Sequence, residues 1–477
     1  FRSDGDKMSK LETDYLVIGS GAVGMAFVDT MLDESDSDFI IVDRHHMPGG
    51  HWNDAYPFVR LHQPSAFYGV SSIKLGDDRI DQAGSNKGFF ELATGSEVVA
   101  YFDRVMRERL LPSGRVKYFQ MSDFTEDGKI KSLLSGDITD VSIRKKVVDG
   151  TFFSTSVPST HTRPYEVDDG VTCIPPNRLP FEAAKFEHYM VLGGGKTAMD
   201  SVVWLLDNGA SPEAITWICP RASWLINRRI TQPGRTFFKD SVGGAADQFE
   251  ALGEATSISD LFERLEAANL MLRVDQSVEP EMFHYATTSM GEVEQMRRVE
   301  NVVRGERVSS IAPGRVELQS GGTLEAKPDT LYIDCTASAV DFVKKQDIPV
   351  FTSDRITLQP VFAPLASYSA AIIAYVEAKY DDEEQKNLFC KPVPLADTPA
   401  EWPASTLGNM MNQNAWSQDE KLRDWTQACR LNPTAAAVND PAPLTDEEKA
   451  IVSRVRNAVM PAVMNIHKLM AAETEPA

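Results

Sequence analysis

The chain has few cysteines, and none of them has the spacing of a common functional motif. Its 477 residues include five cysteines that lie far apart, and no two of them form a CxxC pair. The usual zinc ribbons and the redox dithiol of thioredoxin-reductase-type enzymes are therefore excluded. An odd number of scattered cysteines is typical of a reduced protein, so we expect a cytoplasmic location.

Long apolar runs and an excess of positive charge are also missing. No window reaches the ~18 uninterrupted apolar residues of a membrane span, and no basic-then-apolar signal segment is present. Residues 1–7 are polar and typical of an expression tag, which predicts Met8 as the natural start. Lys and Arg number 48 against 69 Asp and Glu, which gives a net charge of −21. Such a surface repels nucleic acid and anionic lipid, so we expect neither as a partner.

A glycine-rich turn follows the first predicted strand. Residues 14–18 form a short apolar run, Gly19-Ser20-Gly21-Ala22-Val23-Gly24 follows it, and residues 25–32 have a helical pattern. A second apolar strand, 38–43, ends in Asp43. The glycines allow a sharp turn and the approach of a pyrophosphate, and an acidic residue about 20 positions further on reaches ribose hydroxyls. This order predicts a dinucleotide-binding βαβ unit.

A second unit of the same kind begins at residue 188. Strand 188–192 leads into Gly193-Gly194-Gly195-Lys196-Thr197-Ala198, followed by helix 197–208 and strand 214–219. Where an acidic residue would end this strand, Arg221 is found, with Arg228 and Arg229 close behind. An arginine suits a ribose 2′-phosphate, which favours NADPH over NADH. The alternative is that Arg221 is a solvated surface charge.

A third motif connects these two units to a known family. Gly49-Gly50-His51-Trp52, followed by Tyr56-Pro57, resembles the GGxW…YP stretch of flavin-containing and Baeyer–Villiger monooxygenases. The resemblance covers residues 12–70 and 186–230 well and the remainder in outline. It implies that the first unit binds FAD, that the second binds NADPH, and that the FAD domain resumes after the NADPH domain.

The chain also departs from that family at two places. The FxGxxxH fingerprint that precedes the second glycine turn in the family is absent from residues 168–177. Cys335-Thr336-Ala337-Ser338 stands where the family has ATG. Membership at the superfamily level is compatible with these departures, whereas membership in the Baeyer–Villiger branch does not follow.

The predicted fold class is α/β, with two doubly wound Rossmann-like domains, the NADPH domain inserted in the FAD domain, and a helical C-terminal cap. The expected boundaries are 8–160 and 326–400 for the two parts of the FAD domain, 161–325 for the NADPH domain, and 401–477 for the cap. Within them we expect strands at 141–143 and 147–154, a helix over 96–111 capped by Ser96, a β-meander over 301–321 and a last helix over 445–470.

The resemblance implies an FAD- and NADPH-dependent oxidoreductase, most simply a single-component flavin monooxygenase that uses O₂ on a small organic molecule. Two alternatives stay open: an FAD-dependent dehydrogenase or oxidase without oxygen insertion, and a non-catalytic dinucleotide-binding sensor. A homo-oligomer is compatible with the sequence. No metal-ligand spacing is evident, and the absence of a GxSxG motif disfavours nucleophilic hydrolysis.

By its position in the family, segment 60–64 would lie against the flavin ring. Gln63 is then a candidate catalytic residue that could donate a hydrogen bond without titrating, and His62 could be a proton donor or face solvent. The alternative is that both residues only pack the loop. The candidate cofactor-binding residues are Gly19, Ser20, Gly21, Ala22, Gly24, Asp43, Arg44, Gly50, His51, Trp52, Arg60, Met121, Gly193, Gly195, Lys196, Thr197, Arg221 and Arg228.

Overall fold

The computed structural model describes residues 11–153, 156–337 and 348–474. The predicted tag residues, the start at Met8 and Ser338 of the altered ATG position lie outside the described residues.

Helices and strands alternate around the two glycine turns, whereas runs of consecutive strands precede the second turn and precede the helices of the C-terminal part. The strands are β1 Leu11–Ile18, β2 Phe39–Val42, β3 Val116–Phe119, β4 Ser122–Phe124, β5 Lys129–Ser132, β6 Ile138–Asp149, β7 Glu166–Val167, β8 Cys173–Ile174, β9 His188–Leu192, β10 Ile215–Cys219, β11 Ser223–Asn227, β12 Met271–Leu272, β13 Met282–Thr288, β14 Val302–Arg304, β15 Val308–Ala312, β16 Arg315–Leu318, β17 Thr323–Glu325, β18 Thr330–Asp334 and β19 Arg355–Thr357. The α-helices are α1 Ala22–Glu34, α2 Gly95–Val105, α3 Leu179–Glu182, α4 Lys196–Asp207, α5 Phe238–Glu254, α6 Ile258–Ala267, α7 Met290–Met296, α8 Ala366–Lys379, α9 Glu383–Phe389, α10 Trp402–Gln418, α11 Glu420–Ala428, α12 Ala435–Val438 and α13 Asp446–Thr474.

The first sheet has a parallel core in the order β3-β2-β1-β6, and β19 adds to β6 in parallel. The short strands β5 and β4 extend β6 on the other side as an antiparallel ribbon. All four residues of β2 are buried, as expected for a β-branched run covered on both faces. Helices α1 and α8 pack together over one face of this sheet.

The second sheet is parallel throughout, in the order β14-β10-β9-β18-β8. Its strands fall between β6 and β19 in the chain, so the second domain is inserted in the first. Two smaller sheets, β12-β11-β13 and β17-β16-β15-β7, complete the molecule as described. The predicted fold class is therefore confirmed, while the exact domain boundaries stay a prediction.

Three predicted elements are corrected by the structure. The two strands expected at 141–143 and 147–154 are one strand, β6, whose charged residues hide its continuity in the sequence. Residues 302–304 do not join the expected meander, because β14 pairs in parallel with β10. Helix α2 is capped by Thr94, which accepts from the Glu97 N–H, and not by Ser96, which lies inside the helix. Since Glu97 also accepts from the Thr94 N–H, a full capping box fixes this start.

The predicted C-terminal cap is helical, as expected. The long helix α13 packs along α5, and Arg430, just after α11, donates hydrogen bonds to the carbonyls of Ala66 and Tyr68. The cap therefore holds the loop that precedes α2. The five cysteines are free thiols. None of the helices in the described ranges is long and apolar enough to cross a membrane.

The capping box gives a direct test of where α2 begins. We expect Thr94→Ala to lower the free energy of unfolding by about 1 kcal/mol, because the N–H of Glu97 loses its acceptor. Ser96→Ala is the matched control and should change stability by less than about 0.5 kcal/mol, because exposed helix positions tolerate this change. Urea denaturation of both variants provides the measurement, and equal losses would contradict the assignment of Thr94 as the cap.

Candidate functional site

The first glycine turn connects β1 to α1. Gly19 has φ +97°, which a residue with a side chain rarely adopts, and a Cβ on Gly24 would overlap the carbonyl oxygen of Gly19. No side chain caps the start of α1, and its first turn contains no acidic residue. The free N–H groups at this end are therefore open to an anion, as a bound pyrophosphate requires.

Asp43 lies beside this turn, buried at the end of β2. Its carboxylate accepts from the Ser20 N–H and hydroxyl and from the N–H and ring Nδ1 of His45. Burial opposes its charge, but these hydrogen bonds outweigh burial and lower the pKa of Asp43. Four donors fill the acceptor positions of one carboxylate. In this structure Asp43 therefore orders the turn, and a ribose hydroxyl would have to share it with Ser20 or His45.

His45 bridges two acidic residues. Its Nδ1 lies 2.9 Å from Asp43 and its Nε2 lies 2.8 Å from Asp54. The hydrogen bond that His45 donates to Asp43, together with the one that it donates to Asp54, raises the pKa of His45 to about 9 against the effect of burial. The ring is therefore protonated at neutral pH and fixes the start of the GGHW loop, the name used here for residues 49–64.

The GGHW loop passes close to the first glycine turn. A Cβ on Gly21 would lie 3.5 Å from the Cα of Gly50. The His51 ring stacks on Trp52 at a centroid distance of 5.3 Å, and the Trp52 indole donates to the Tyr68 hydroxyl over 2.7 Å. Burial lowers the pKa of His51 to about 4, although its side chain remains accessible to solvent.

The second glycine turn connects β9 to α4 and, like the first, has a glycine at positive φ, a close backbone approach and an uncapped helix start. Gly193 has φ +129°, and a Cβ on Gly194 would lie 2.7 Å from the Arg221 carbonyl oxygen. Around the Cβ position of Gly195 the space is open, and no side chain caps α4. Both turns therefore fit a dinucleotide pyrophosphate. Lys196 follows Gly195 as the first residue of α4, and Thr197 lies next to it in the first turn.

A cavity of about 650 Å³ opens beside the second turn, at the carboxyl ends of β10 and β14. It is lined by Gly194 and Cys219, and by the guanidinium-bearing residues Arg273, Arg297 and Arg304. These arginines were not predicted, since they come from three later segments. Arg273 pairs with Glu266, Arg304 pairs with Asp275, and Arg297 donates to backbone carbonyls.

Arg221 differs from these three because its exposed guanidinium has no side-chain or backbone partner within the described ranges. Arg228, in contrast, is fully buried: its Nε donates to the His62 carbonyl over 2.9 Å and its Nη1 lies 2.7 Å from Glu292. Of the two predicted arginines, Arg221 is therefore the one free to meet a phosphate, and Arg228 contacts the GGHW loop.

A buried charge cluster joins the two domains where α4 begins. It consists of Lys196, Asp200, Glu292 and Arg228, with at most 15% of each side chain exposed. Lys196 pairs with Asp200, and its Nζ lies 3.4 Å from Glu292. Burial opposes the charges, but the mutual attraction is stronger: it raises the pKa of Lys196 and lowers that of Glu292. From the GGHW loop, the Tyr56 hydroxyl donates to Asp200 over 2.7 Å.

The charges of this cluster act on His62, one of the two candidate catalytic residues, and Gln63 follows His62 in the chain. Burial, together with the positive charges of Lys196 and Arg228, lowers the pKa of His62 to about 4, so its ring is neutral at pH 7. The side-chain amide of Gln63 is half-buried and makes no hydrogen bond to any described residue. An amide free of protein partners can bind a ligand without first breaking a contact.

The remaining predicted residues are more peripheral. Arg44 is exposed and pairs with Asp123, and Met121, at φ +47°, donates its N–H to the His45 carbonyl. Arg60 is exposed and lines a separate surface groove with Thr94 and Glu97. Arg44 and Arg60 are therefore not part of the buried charge cluster formed by Lys196 and its partners.

The structure also shows a histidine–carboxylate pair that the sequence did not indicate. His161 Nε2 lies 2.8 Å from buried Asp334, at the end of β18. Only the motif departure at 335–338 pointed to this region. Across the ranges that the structure describes, no group of three or more His, Cys, Asp or Glu side chains could hold a metal ion.

Sequence comparison finds close relatives in mycobacteria. The uncharacterized protein Rv2000 of Mycobacterium tuberculosis is 44% identical over 467 residues, which cover 97% of this chain and 86% of the relative. The uncharacterized protein Mb2023 of Mycobacterium bovis matches to the same extent. The uncharacterized oxidoreductase CzcO of Bacillus subtilis is 22% identical over 216 residues, or 43% of this chain and 54% of CzcO. No family model matches the chain.

Structural comparison finds flavin monooxygenases. The flavin-containing monooxygenase from Stenotrophomonas maltophilia has a TM-score of 0.46 at 14% identity, covering 80% of this chain and 99% of that chain. An open crystal structure of cyclohexanone monooxygenase has a TM-score of 0.48 at 13% identity, covering 77% of this chain and 88% of that chain. Both scores lie below 0.5, and the fold assignment therefore rests on the strand order of the chain itself.

The bridge formed by His45 predicts a pH-dependent stability. Because its folded pKa, about 9, exceeds the ordinary 6.5, its contribution is full below about pH 6.5 and is lost as the pH rises through 9. We expect the difference in unfolding free energy between the parent and His45→Gln to shrink between about pH 6.5 and about pH 9.5 in urea titrations. The exposed neighbour supplies the control, His46→Gln, and a His45 difference that stays constant over this range would contradict the prediction.

Proposed function

The chain belongs to the family of the mycobacterial protein Rv2000, and we propose that it is an FAD- and NADPH-dependent oxidoreductase, namely a single-component monooxygenase of a small organic molecule. One observation carries the proposal. A single chain holds two glycine turns of the dinucleotide-binding type, each at an uncapped helix start, and a buried charge cluster places the GGHW loop of the first beside the second.

FAD is assigned to the first turn. Gly19, Gly21, Ala22 and Gly24 would admit the pyrophosphate to the start of α1, with Ser20 and Asp43 ordering the turn. Gly50, His51 and Trp52 would lie along the cofactor, because the loop passes within van der Waals distance of Gly21. Arg44 and the backbone of Met121 are assigned to the nucleotide end, beyond Asp43.

NADPH is assigned to the second turn. Gly193, Gly195, Lys196 and Thr197 would hold its pyrophosphate, and the cavity beside Gly194 has room for the adenosine half. The preference for the phosphorylated nucleotide rests on Arg221, whose exposed guanidinium has no partner among the residues that the structure describes. Three arginines and two acidic residues, Asp275 and Glu300, line the cavity, so its lining has an excess of positive charge in an otherwise acidic protein.

His62 and Gln63 are assigned to the reacting side of the site. Bound FAD would supply hydride acceptance from NADPH and reaction of the reduced ring with O₂, while the protein binds, orients and shields the reactants. Gln63 would donate a hydrogen bond there through its free amide. With a pKa of about 4, His62 is neutral near pH 7 and serves as a polar lining group rather than an acid.

The test is to purify the protein and mix it anaerobically with NADPH or NADH before admitting O₂. A yellow chromophore that NADPH bleaches faster than NADH supports the assignment. Release of peroxide in amounts equal to the NADPH consumed, with every candidate substrate, would instead indicate an oxidase. Absence of any bound flavin would reject the proposal in favour of a dinucleotide-binding sensor.

The approach of Gly21 to Gly50 predicts which substitution removes FAD. Gly21 has φ −78°, so a larger residue is not strained, and Gly21→Ala should keep most of the flavin. The branched side chain of Gly21→Val should fill the path of the pyrophosphate and leave a folded protein with little flavin. Absorbance per protein, with thermal unfolding as the check on folding, provides the measurement. Full flavin in a stable Gly21→Val protein would contradict the assignment.

The free amide of Gln63 predicts an uncoupled variant. Gln63→Ala should keep FAD content and reduction by NADPH, because the side-chain amide makes no hydrogen bond to any described residue. Loss of a donor at the reacting side should raise the peroxide released per NADPH several-fold, since one hydrogen bond is worth about 1 kcal/mol. Gln82→Ala, in an exposed segment, serves as the control. A peroxide ratio equal to that of the parent would remove Gln63 from the mechanism.

A further inference from the structure

We propose that Tyr56 is a positioning residue, which transmits occupancy of the second glycine turn to the GGHW loop through Asp200 and Lys196. The inference rests on the proposed function and adds to it a route by which binding of the nicotinamide dinucleotide would order the residues that face the flavin.

The route begins with the position of Lys196. It is the first residue of α4, directly after Gly195, whose Cβ position faces open space. Its ammonium is satisfied by Asp200 and Glu292 in this structure. A pyrophosphate at the start of α4 brings a third anion to the same ammonium. The negative charge around Lys196 then exceeds what one ammonium balances, so its hold on the two carboxylates weakens.

The two carboxylates differ in the donors that they keep when the interaction with Lys196 weakens. Glu292 keeps Arg228, whose Nη1 lies 2.7 Å away. Asp200 has only Tyr56 as a further donor among the described side chains. Because a hydrogen bond to a carboxylate gains strength when the charge is less compensated, the Tyr56–Asp200 contact tightens when a phosphate draws on Lys196. Burial and the Asp200 carboxylate raise the pKa of Tyr56, so its hydroxyl keeps the proton it donates.

The GGHW loop makes further contacts with the second domain, so a change in the Tyr56–Asp200 hydrogen bond would also affect the position of the loop. Tyr56 is 7% exposed, its ring packs on Phe58 at 4.7 Å, and Phe58 stacks on Trp204 of α4 at 5.3 Å. Further along the loop, the His62 carbonyl accepts from Arg228. Two connections thus run from Lys196 to the loop, one through Asp200 and Tyr56 and one through Glu292 and Arg228. The second connection reaches the loop at the candidate residue His62, and Gln63 is the next residue in the chain.

The first experiment needs no turnover. Amide hydrogen exchange over residues 49–64 is followed by mass spectrometry in the flavin-loaded protein, with and without NADP⁺. We expect NADP⁺ to slow exchange in this segment for the parent and for Tyr189→Phe, and to slow it far less for Tyr56→Phe. Tyr189 is the matched control because its hydroxyl also donates inside the second domain, to the carbonyls of Ala183 and Phe186. Equal slowing in both tyrosine variants would overturn the proposal.

The second experiment separates positioning from binding. In anaerobic reduction by NADPH, Tyr56→Phe should lower the limiting rate about 10-fold, as for one charge-assisted hydrogen bond, and leave the concentration for half-maximal rate nearly unchanged. Lys196→Met should raise that concentration. In the Lys196→Met background, Tyr56→Phe should have less than about a 2-fold further effect, because the route is already cut. Independent, multiplicative effects of the two substitutions would overturn the proposal.

The outcomes distinguish this inference from the proposed function. A parent protein that is reduced by NADPH, together with a Tyr56→Phe variant that behaves like it, overturns the coupling alone. A parent that binds no flavin overturns both. Should Tyr56→Phe fold poorly in thermal unfolding, Asp200→Asn repeats the test, since it keeps an acceptor for Tyr56 and removes the charge that Lys196 and Tyr56 share.

Discussion

Charge buried between the two domains is the constraint on which the arrangement of this site depends. Lys196, Arg228, Asp200 and Glu292 sum to zero, yet each is removed from most of the solvent. Buried ions are tolerated only when each is paired and hydrogen-bonded, and removal of one partner leaves the other at a high free-energy cost. The four charges pair with one another within the second domain, and the GGHW loop meets them through the Tyr56 hydroxyl and the His62 carbonyl. The loop therefore has to meet the second domain in a register that brings both groups to the cluster. An apolar junction of the same area would specify that register less strictly.

The two glycine turns share a backbone geometry but differ in what surrounds them. At the first turn, the Asp43 carboxylate accepts hydrogen bonds from Ser20 and His45, and the protonated His45 ring also donates to Asp54. The conformation of the first turn is therefore fixed by hydrogen bonds within the protein. At the second, the space beyond Gly195 is open, and Arg221 has no protein partner in the described ranges. A preformed first site and an open second site suit one nucleotide that stays bound and another that enters and leaves.

The sequence predicts what is local. The order of strand, turn, helix and acidic residue around Gly19 and Gly193 can be recognised because each signal lies within about 30 residues, the length of one βαβ unit. The two βαβ units are confirmed, and so is the insertion of the second domain in the first. The prediction that Ser96 caps α2 and the prediction of two strands where β6 is one strand were wrong. The charge cluster could not be predicted, since Tyr56 and Asp200 are 144 residues apart and Lys196 and Glu292 are 96 apart. The cofactors bound and the roles of His62 and Gln63 stay predictions, because neither follows from a backbone turn.

The departures from the family motifs have physical counterparts in the structure. The segment that lacks the FxGxxxH fingerprint, 168–177, still contacts the first domain, because Asn177 at its end donates to the Asp54 carbonyl. Just before this segment, Ser159 donates to the same carbonyl and His161 pairs with Asp334. Where ATG is replaced, the backbone of Cys335 fits against Gly193 closely enough that a Cβ there would overlap it. These contacts tie the GGHW loop to the second domain and support the second glycine turn without either family motif. The departures from the motifs therefore leave neither the junction with the GGHW loop nor the second glycine turn without supporting contacts.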